Sequence, residues 1–354
     1  MIRKIAMSNL ITNRGPIMIG VSGHTLSDDD VRRLKNPNIG GVILFRRNFS
    51  SVSQVKDLIR QIKKLRFPEL IIAVDHEGGR VQRFKEGFTR IPSMGSLGKI
   101  ALNQGIEKAK ELTKKVGFVL AFELKEVGVD FSFTPVLDLD FHRSSIIGDR
   151  SFGSDVDLVI ELSKSLIDGL RLANMTSCGK HFPGHGFVEE DSHLDLPIDS
   201  RDISCLEEND LIPFKALINY GIDAIMPAHI IYNEVDSLPA SFSEKWLKFY
   251  LKDKLNFKGV IFSDDLNMQG AKFEKDINNR AQLALRSGCD IVLICNDLQE
   301  VDILLENNKI YKDANYAWYK FVSGYMDNYT NLITSRDFKI LQEEINFLNE
   351  NNFT

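Results

Sequence analysis

Short apolar runs, too brief to be helices and mostly preceded by a turn signal, recur along the chain. The candidate strands are PIMIGVSG from Pro16, GGVILF from Gly40, ELIIAVD from Glu69, DFSFTPVLDLD from Asp130, MTSCGKHF from Met175, DAIMPAHI from Asp223, KGVIFSDD from Lys258 and CDIVLICND from Cys289. Several intervals between them carry apolar residues at helical spacing, such as Ala109, Leu112, Val116, Val119 and Leu120. Apolar strands that alternate with amphipathic helices predict a parallel sheet covered by helices.

The eight strand–helix units predict the α/β class and a closed (β/α)8 TIM barrel. An open doubly wound sheet is the competing architecture, although no G-x-G-x-x-G turn follows the first candidate strand. We expect residues 1–354 to form a single domain. The barrel spans about residues 15–300 in this prediction, and terminal helices in about residues 301–354 pack on its outside.

Composition and charge narrow the class of protein. The chain has 354 residues, of which 43% are hydrophobic and 26% are charged, and its formal net charge is −5 without a long basic run. Nucleic acid is therefore excluded as an expected partner. The first residues lack the apolar core of a secretory signal, and no apolar run is long enough to span a bilayer. We therefore expect a cytoplasmic protein with reduced cysteines. We expect no membrane partner, and no obligate protein partner is evident.

Polar side chains follow the candidate strands at the points where the strands end. In chain order they are Asp75, Arg80 and Arg83; Asp138 and Asp140, with Arg150 downstream; Lys180 and His181; His229; Ser263, Asp264 and Asp265; and Asn296 and Asp297. The active site of a (β/α)8 barrel lies at these carboxyl ends. Each residue also has a purely structural interpretation: Asp297 caps a helix, Asp138 and Asp140 close a turn, and Arg80 pairs with Glu77.

Charged groups inside an enclosed cup must be paired with one another or bound to a ligand. Carboxylates accept from neighbouring hydroxyls, and Arg and Lys donate to hydroxyl and carbonyl oxygens, so the set suits a sugar. The candidate sugar-binding residues are Asp75, Arg83, Arg150, Lys180 and His181. Asp264 is the candidate nucleophile. Its alternative role is the N-cap of the next helix, a role that Asp265 could fill instead. If the strand continues its alternation, the side chain of Asp265 points elsewhere.

The segment KHFPGHGFVEEDSHLD, which starts at Lys180, supplies a candidate proton donor. His193 can donate and accept a proton near neutral pH, and Asp191 can orient its ring, so the two form a candidate acid/base dyad. Glycines in residues 184–186 and few anchoring side chains predict a mobile lid in residues 186–195. A zinc site on His181, His185 and His193 is the weaker alternative, because Pro183 and Gly184 break helical spacing and Lys180 repels a cation; we expect no metal and no organic cofactor.

Four segments in order resemble glycoside hydrolase family 3, over about residues 15–300. They are DHEGGRVQRF from Asp75, IGDRSF from Ile147, GKHFPGHGFVEEDSH from Gly179 and GVIFSDDLNMQGA from Gly259, with His76 where the family's motif has Gln. The resemblance implies that Asp264 is the nucleophile, that His193 and Asp191 are the acid/base pair, and that the five sugar-binding candidates contact the substrate.

The resemblance also implies a substrate and a pathway. It implies hydrolysis of a terminal β-linked N-acetylglucosamine from muropeptide fragments, with retention of configuration, in bacterial peptidoglycan recycling. Three alternatives remain: a phosphorylase that uses phosphate in place of water, a metal-dependent amidohydrolase on the same barrel, and a sugar-binding protein with a decayed site.

Overall fold

The computed structural model describes residues 14–189, 196–307, 314–322 and 335–350. Its barrel strands are β1 (Ile17–Ile19), β2 (Ile39–Leu44), β3 (Ile71–Val74), β4 (Phe131–Ser132), β5 (Cys178–Phe182), β6 (Ala224–Pro227), β7 (Val260–Asp265) and β8 (Ile291–Ile294). They are parallel, in the order β4-β3-β2-β1-β8-β7-β6-β5. The backbone after β4 closes the ring on β5, because the Leu137 amide donates to Lys180 O at 2.7 Å.

Helices follow the strands in the order that the sequence predicts. They are α1 (Asp28–Leu34), α2 (Val52–Lys64), α3 (Met94–Gln104), α4 (Ile106–Glu126), α5 (Val156–Leu172), α6 (Ile203–Glu208), α7 (Leu211–Tyr220), a π-helix (Lys245–Lys254), α8 (Ile277–Ser287), α9 (Leu298–Glu306), α10 (Asn315–Val322) and α11 (Ser335–Glu350). Every residue of the predicted apolar face of α4 is buried. The predicted (β/α)8 barrel is therefore confirmed. Within the described ranges, no helix is both long and apolar enough to cross a membrane.

Aromatic rings fill the barrel interior. Phe131 of β4 contacts Phe262 of β7 with 5.4 Å between ring centroids, and these strands are not neighbours in the sheet, so the contact crosses the barrel. Trp318 and Phe321 of α10 pack on the same Phe262 ring. The Trp318 indole also donates to Gly15 O, just before β1. Helix α10 therefore closes the amino-terminal end of the barrel with its aromatic side chains, and burial of these large rings is a major stabilising term.

The terminal helices α10 and α11 pack at different places on the barrel. Phe338 of α11 lies 4.5 Å from Phe122 of α4, and Lys115 of α4 pairs with Glu344. Helix α10 differs because its rings reach the barrel interior, which an amphipathic pattern alone does not reveal.

Two short elements shape the carboxyl-terminal rim. A hairpin of His76–Gly78 and Val81–Gln82 follows β3 directly. It turns at Gly78 and Gly79, whose φ angles of 113° and 52° favour glycine. A parallel pair of Ile198–Asp199 and Ile231–Tyr232 lies on the other side of the rim.

Candidate active site

A cavity of about 420 Å³ opens at the carboxyl ends of the strands. Its polar lining residues are Asp75, Glu77, Arg80, Arg83, Arg150, Lys180, His181, His185, Asp264, Asp265 and Asn296. Its apolar lining residues are Ile43, Phe45, Val81, Phe133, Ile146, Met226, Met268, Leu293 and Cys295. All five predicted sugar-binding residues and Asp264 therefore meet in one cavity, at the end of the barrel where the strand order places them.

Four charged residues at the cavity floor form what we call the cavity cluster: Asp75, Glu77, Arg150 and Lys180. The Lys180 ammonium donates to Asp75 Oδ1 at 2.9 Å and lies 2.6 Å from Glu77 Oε1. The Arg150 guanidinium donates to both oxygens of Glu77, at 2.8 Å each. Glu77 therefore holds both cations in place, although each of them also lines the cavity.

Protonation in the cavity cluster follows from this pairing. Burial acts to raise the pKa of Glu77, but the charges of Arg150 and Lys180 outweigh it and hold that pKa well below its usual range. Burial acts to lower the pKa of Lys180, and the nearby Asp75 and Glu77 reverse this, so its pKa is raised. Glu77, Lys180 and Arg150, whose own pKa is raised by the charge of Glu77 against the effect of burial, are therefore charged at neutral pH.

The two most accessible members of the predicted sugar site lie at the edge of the cavity cluster. The side chains of Asp75 and Arg83 are 21% and 32% exposed, and the closest approach between their charged groups is 3.8 Å. That separation exceeds a hydrogen bond, so both groups retain capacity for a polar ligand. The structural interpretation of the sequence expected Arg80 to pair with Glu77, and the structure shows that it does not. It donates instead to the carbonyls of Ser145 and Ile146.

Asp138, for which turn closure was the structural interpretation, fixes the histidines of the rim. Its Oδ1 accepts from the backbone amides of His181 at 3.1 Å and His185 at 2.7 Å, and its Oδ2 lies 2.7 Å from His181 Nδ1. A carboxylate at Nδ1 keeps that nitrogen protonated and sets the orientation of the ring. Asp140 does close a turn, since its Oδ1 accepts from the His142 amide.

Asp264 and Asp265 both line the cavity, at the end of β7. β7 carries an irregularity between Phe262 and Asp265, so the regular alternation behind the expectation for Asp265 does not hold. The Asp265 carboxylate accepts from the backbone amides of Asn267 and Cys295. The structural alternative for Asp264 is wrong, because Asp276 caps the following helix α8. The corresponding interpretation of Asp297 is confirmed, since its carboxylate caps α9.

A second buried ion cluster lies beside the cavity, and we call it the loop-base cluster: Asp199, Arg201 and Asp210. The Arg201 guanidinium donates to Asp199 at 2.7 Å and to Asp210 at 2.8 Å. It also covers the ring of Phe187 at 4.1 Å, and Arg143 covers that ring at 4.4 Å. The sequence gives Phe187 little anchoring, and the structure corrects this: residue 187 is held between two cations.

Glycine at position 186 has a packing role in the structure. A Cβ atom added there would lie 1.7 Å from Leu139 O, so the glycine permits a close backbone approach. The described beginning of the predicted lid is therefore fixed by contacts. The remaining part, which includes Asp191 and His193, lies outside the described residues.

Two residues of the site were missed or undervalued by sequence reasoning. The sequence suggests Glu77 only as a partner of Arg80, and it places Asp138 at the rim without a specific role in the site. The signal for Glu77 is its place two positions after Asp75 in DHEGG, since a carboxylate at a rim that also carries strand-end cations needs to be paired. In the described part of the chain, no group of three or more His, Cys, Asp or Glu side chains is arranged to hold a metal ion.

Comparison with known proteins now identifies the family. Residues 10–315 match the model of the glycosyl hydrolase family 3 N-terminal domain. The chain belongs to glycoside hydrolase family 3. A β-hexosaminidase of Neisseria meningitidis serogroup A is 52% identical over 297 residues, which cover 84% of this chain and 82% of that protein. A β-hexosaminidase of Methylobacillus flagellatus is 52% identical over 295 residues, covering 83% of this chain and 84% of that protein.

Solved structures agree with the family assignment. The crystal structure of NagZ from Neisseria gonorrhoeae in complex with N-trifluoroacetyl-D-glucosamine matches with a TM-score of 0.88 and 46% identity, covering 95% of this chain and 98% of that one. The predicted resemblance to family 3 and the prediction of a glycoside hydrolase of the β-hexosaminidase type are therefore confirmed.

Proposed function

We propose that this family 3 enzyme removes a non-reducing terminal β-linked N-acetylglucosamine from muropeptide fragments, with retention of configuration. The observation that carries the proposal is the convergence of Asp264 and the cavity cluster on one cavity of about 420 Å³. The N-trifluoroacetyl-D-glucosamine in the NagZ crystal structure supports an N-acyl amino sugar as the ligand class.

Sugar recognition in this proposal uses the groups that retain hydrogen-bonding capacity. The carboxylate of Asp75 accepts from adjacent hydroxyls, while Arg83, Arg150 and Lys180 donate to hydroxyl oxygens. His181, oriented by Asp138, contributes a ring nitrogen. Because Glu77 and Asp75 already position the cations, little rearrangement is needed on binding, which lowers the entropic cost of recognition.

The proposed reaction proceeds in two displacements. An oxygen of the Asp264 carboxylate attacks the anomeric carbon, and the bond from that carbon to the leaving oxygen breaks, which forms a glycosyl–aspartate ester. Water then attacks the same carbon and releases Asp264. Two inversions at one carbon give net retention.

Proton transfer is assigned to the dyad identified in the sequence. His193 donates a proton to the leaving oxygen in the first step and accepts one from water in the second. Asp191 orients the imidazole and stabilises its charged form. No metal or organic cofactor takes part in either step of this proposal.

The biological setting is also part of the proposal. The resemblance of the four motifs to cell-wall recycling glycosidases supports fragments in which N-acetylglucosamine is linked to anhydro-N-acetylmuramic acid. Such fragments are processed in the cytoplasm, where we place the enzyme, with no protein partner, nucleic acid or membrane required for turnover.

The test is hydrolysis of 4-nitrophenyl β-N-acetylglucosaminide by the wild type and by Asp264→Asn. We expect the variant to lose turnover by about 10⁴-fold or more, since it removes the nucleophile while it keeps the shape of the side chain. Asp297→Asn is the matched control: it changes another rim carboxylate, but Asn is also a good N-cap, so the rate should stay near that of the wild type.

Product analysis separates the proposal from its alternatives. NMR should show the β-anomer of N-acetylglucosamine as the first product, and the α-anomer would overturn retention. A sugar 1-phosphate formed in phosphate buffer would replace the hydrolase by a phosphorylase, and activity abolished by a chelator would indicate the metal-dependent class. His193→Ala should slow natural disaccharides far more than activated aryl glycosides, since these need little protonation.

A further inference from the structure

Strand β7 contains one residue more than the stretch of β8 that it faces. Phe262 lies opposite Ile291 and Asp265 lies opposite Leu293, so the chain advances from 262 to 265 on one strand and from 291 to 293 on the other. An extra residue of this kind is a β-bulge, and bulges near active sites re-aim side chains. The bulge here contains Ser263 and the proposed nucleophile Asp264.

The hydroxyl of Ser263 completes the ladder where the bulge interrupts it. Ser263 Oγ accepts from the Leu293 amide at 3.0 Å and donates to Asp264 O at 2.7 Å. Ser263 is 0% exposed, so removal of the hydroxyl would take one hydrogen-bond partner away from each of these two buried groups. One hydroxyl therefore links β8 to the peptide group of Asp264.

The next residue but one, Asp265, also connects the end of β8 to Asp264. Its Oδ1 accepts from the Cys295 amide and from the Asn267 amide, at 3.0 Å each. Its own amide donates to Asp264 Oδ1 at 2.8 Å. Asp265 thus joins the end of β8 to the carboxylate of Asp264.

From these contacts we infer that Ser263 and Asp265 are positioning residues, whose side chains hold a β-bulge that aims the Asp264 carboxylate into the cavity. The inference rests on the proposed role of Asp264. Neither residue needs to touch the reacting atoms. Their effect is on the direction and rotation of the nucleophile, and a displacement of about 1 Å at a reacting group costs about 10²-fold in rate.

The test compares Ser263→Ala with Ser177→Ala. Ser177 is 1% exposed and its hydroxyl donates to Asp223 at 2.8 Å, but it lies just before β5, at the opposite end of the barrel. Both variants lose one buried hydroxyl, so similar shifts of Tm are expected. Only Ser263→Ala should lower kcat/KM for 4-nitrophenyl β-N-acetylglucosaminide, by about 10- to 100-fold.

Two further measurements distinguish positioning from general damage. The inhibition constant of free N-acetylglucosamine should change by less than about twofold in Ser263→Ala, because the sugar-binding groups are untouched. Ser263→Thr, which retains the hydroxyl, should recover most of the rate. Asp265→Ala and Asp265→Asn form a second pair, in which Asn keeps the acceptor for Cys295 and should be the faster of the two.

The outcomes separate this inference from the proposed function. If Asp264→Asn is inactive but Ser263→Ala and both Asp265 variants match Ser177→Ala in rate, the positioning inference is overturned and the nucleophile stands. If Asp264→Asn turns over at the wild-type rate, the proposed function is overturned as well. A loss in Ser263→Ala that weakens sugar inhibition equally also counts against positioning.

Discussion

The cavity cluster and the loop-base cluster are both buried ion networks at the same end of the barrel, but they differ in the number of cations that contact the central carboxylate, which is two at Glu77 and one at Asp210. In the cavity cluster, Glu77 is shared by two cations, Arg150 and Lys180. In the loop-base cluster, two carboxylates share the single guanidinium of Arg201. The comparison shows how stoichiometry, at equal burial, decides the protonation and role of a carboxylate.

The pKa shifts of the two central carboxylates follow the stoichiometry. Burial raises the pKa of Asp210 to about 6, because the hydrogen bonds and charge of Arg201 offset it only in part and Asp199 adds repulsion. Glu77 experiences the same burial, but its two cations lower its pKa below the usual range. One acid therefore resists protonation and the other resists ionisation.

Access to the cavity separates the two clusters further. Asp75 and Arg83 lie at the edge of the cavity cluster and retain exposed polar atoms. Arg201 is instead covered by the rings of Phe141 and Phe187. A buried ion network that opens onto a cavity is suited to a ligand, whereas one closed by aromatic rings is suited to holding loops together.

Among changes to the two clusters, Glu77→Gln should have the largest effect, because it removes the negative charge shared by two buried cations. Removing one partner of a buried ion pair costs about 3–5 kcal/mol, so the free energy of unfolding should fall by about that amount. Because Lys180 and Arg150 also lose their fixed positions, kcat/KM should fall by about 10³-fold. Urea denaturation and steady-state hydrolysis of the aryl glycoside measure the two quantities.

Glu161→Gln is the matched control for that change. Glu161 also pairs with two cations, Lys164 and Lys110, but its side chain is 37% exposed. Screening by water reduces such pairs to about 0–1 kcal/mol. Equal effects of the two Glu→Gln changes would contradict the claim that burial and position in the cavity decide the importance of Glu77.

Arg201→Met should destabilise the protein without a comparable loss of catalysis. Two buried carboxylates lose their cation, so we expect a loss of about 3–5 kcal/mol in unfolding free energy. Arg201 does not line the cavity, so kcat/KM at a temperature where the variant is folded should fall by less than about tenfold. The control is Arg32→Met, since Arg32 also joins two acids but is 54% exposed.

A rate loss in Arg201→Met as large as that in Glu77→Gln would remove the distinction between the clusters. It would mean that the contact of Arg201 with Phe187 affects catalysis as well as the packing of the loop.

Asp210→Asn tests whether the pKa of Asp210 is raised, in contrast to the lowered pKa of Glu77. A carboxylate whose folded pKa is raised stabilises the fold below its unfolded pKa, and this contribution is lost as pH rises through the folded value. For Asp210 the window runs from 3.8 to about 6. The lost contribution is at most about 3 kcal/mol for a shift of about two pKa units.

Urea denaturation at several pH values measures this slope. We expect Asp210→Asn to flatten the fall in stability across the window, which makes the variant relatively more stable at pH 7 than at pH 4. Asp202→Asn is the control, because the amide and hydroxyl of Ser204 lower the pKa of Asp202 and give the opposite sign. An unchanged slope in Asp210→Asn would show that Arg201 keeps that acid fully ionised.

The barrel was predictable from the sequence because its signal is local. Each apolar run corresponds to a strand, and polar residues at the carboxyl ends of β3, β5 and β7 reach the cavity because parallel strands end at one rim. The ion pairing was not predictable in this way. Glu77 and Arg150 are 73 positions apart, and the choice between Arg150 and the nearer Arg80 depends on the turn at Gly78.

The bulge in β7 shows a second limit of sequence reasoning. A period of two along VIFSDD places Asp264 and Asp265 on opposite faces. In the structure both residues line the cavity, and the side chains of Ser263 and Asp265 replace backbone acceptors for the Leu293 and Cys295 amides. The pattern of residue types carries no mark of that replacement, since Ser and Asp are also common at strand ends and caps.

His76→Gln, which inserts the residue of the family motif, should have the smallest effect. His76 is buried with Phe84 and Phe88, at 6.0 Å between ring centroids, and it does not line the cavity. Burial lowers its pKa to about 3, and the charge of Arg83 adds to the shift. The ring is therefore neutral at working pH and, unlike the groups of either cluster, needs no counter-charge. Lost ring contacts should cost about 1 kcal/mol in unfolding free energy. The kcat/KM profile from about pH 5 to 8 should be unchanged, since no titrating charge is removed. A shifted profile would show that His76 exchanges protons within reach of the cavity cluster, and would add a titratable member to it.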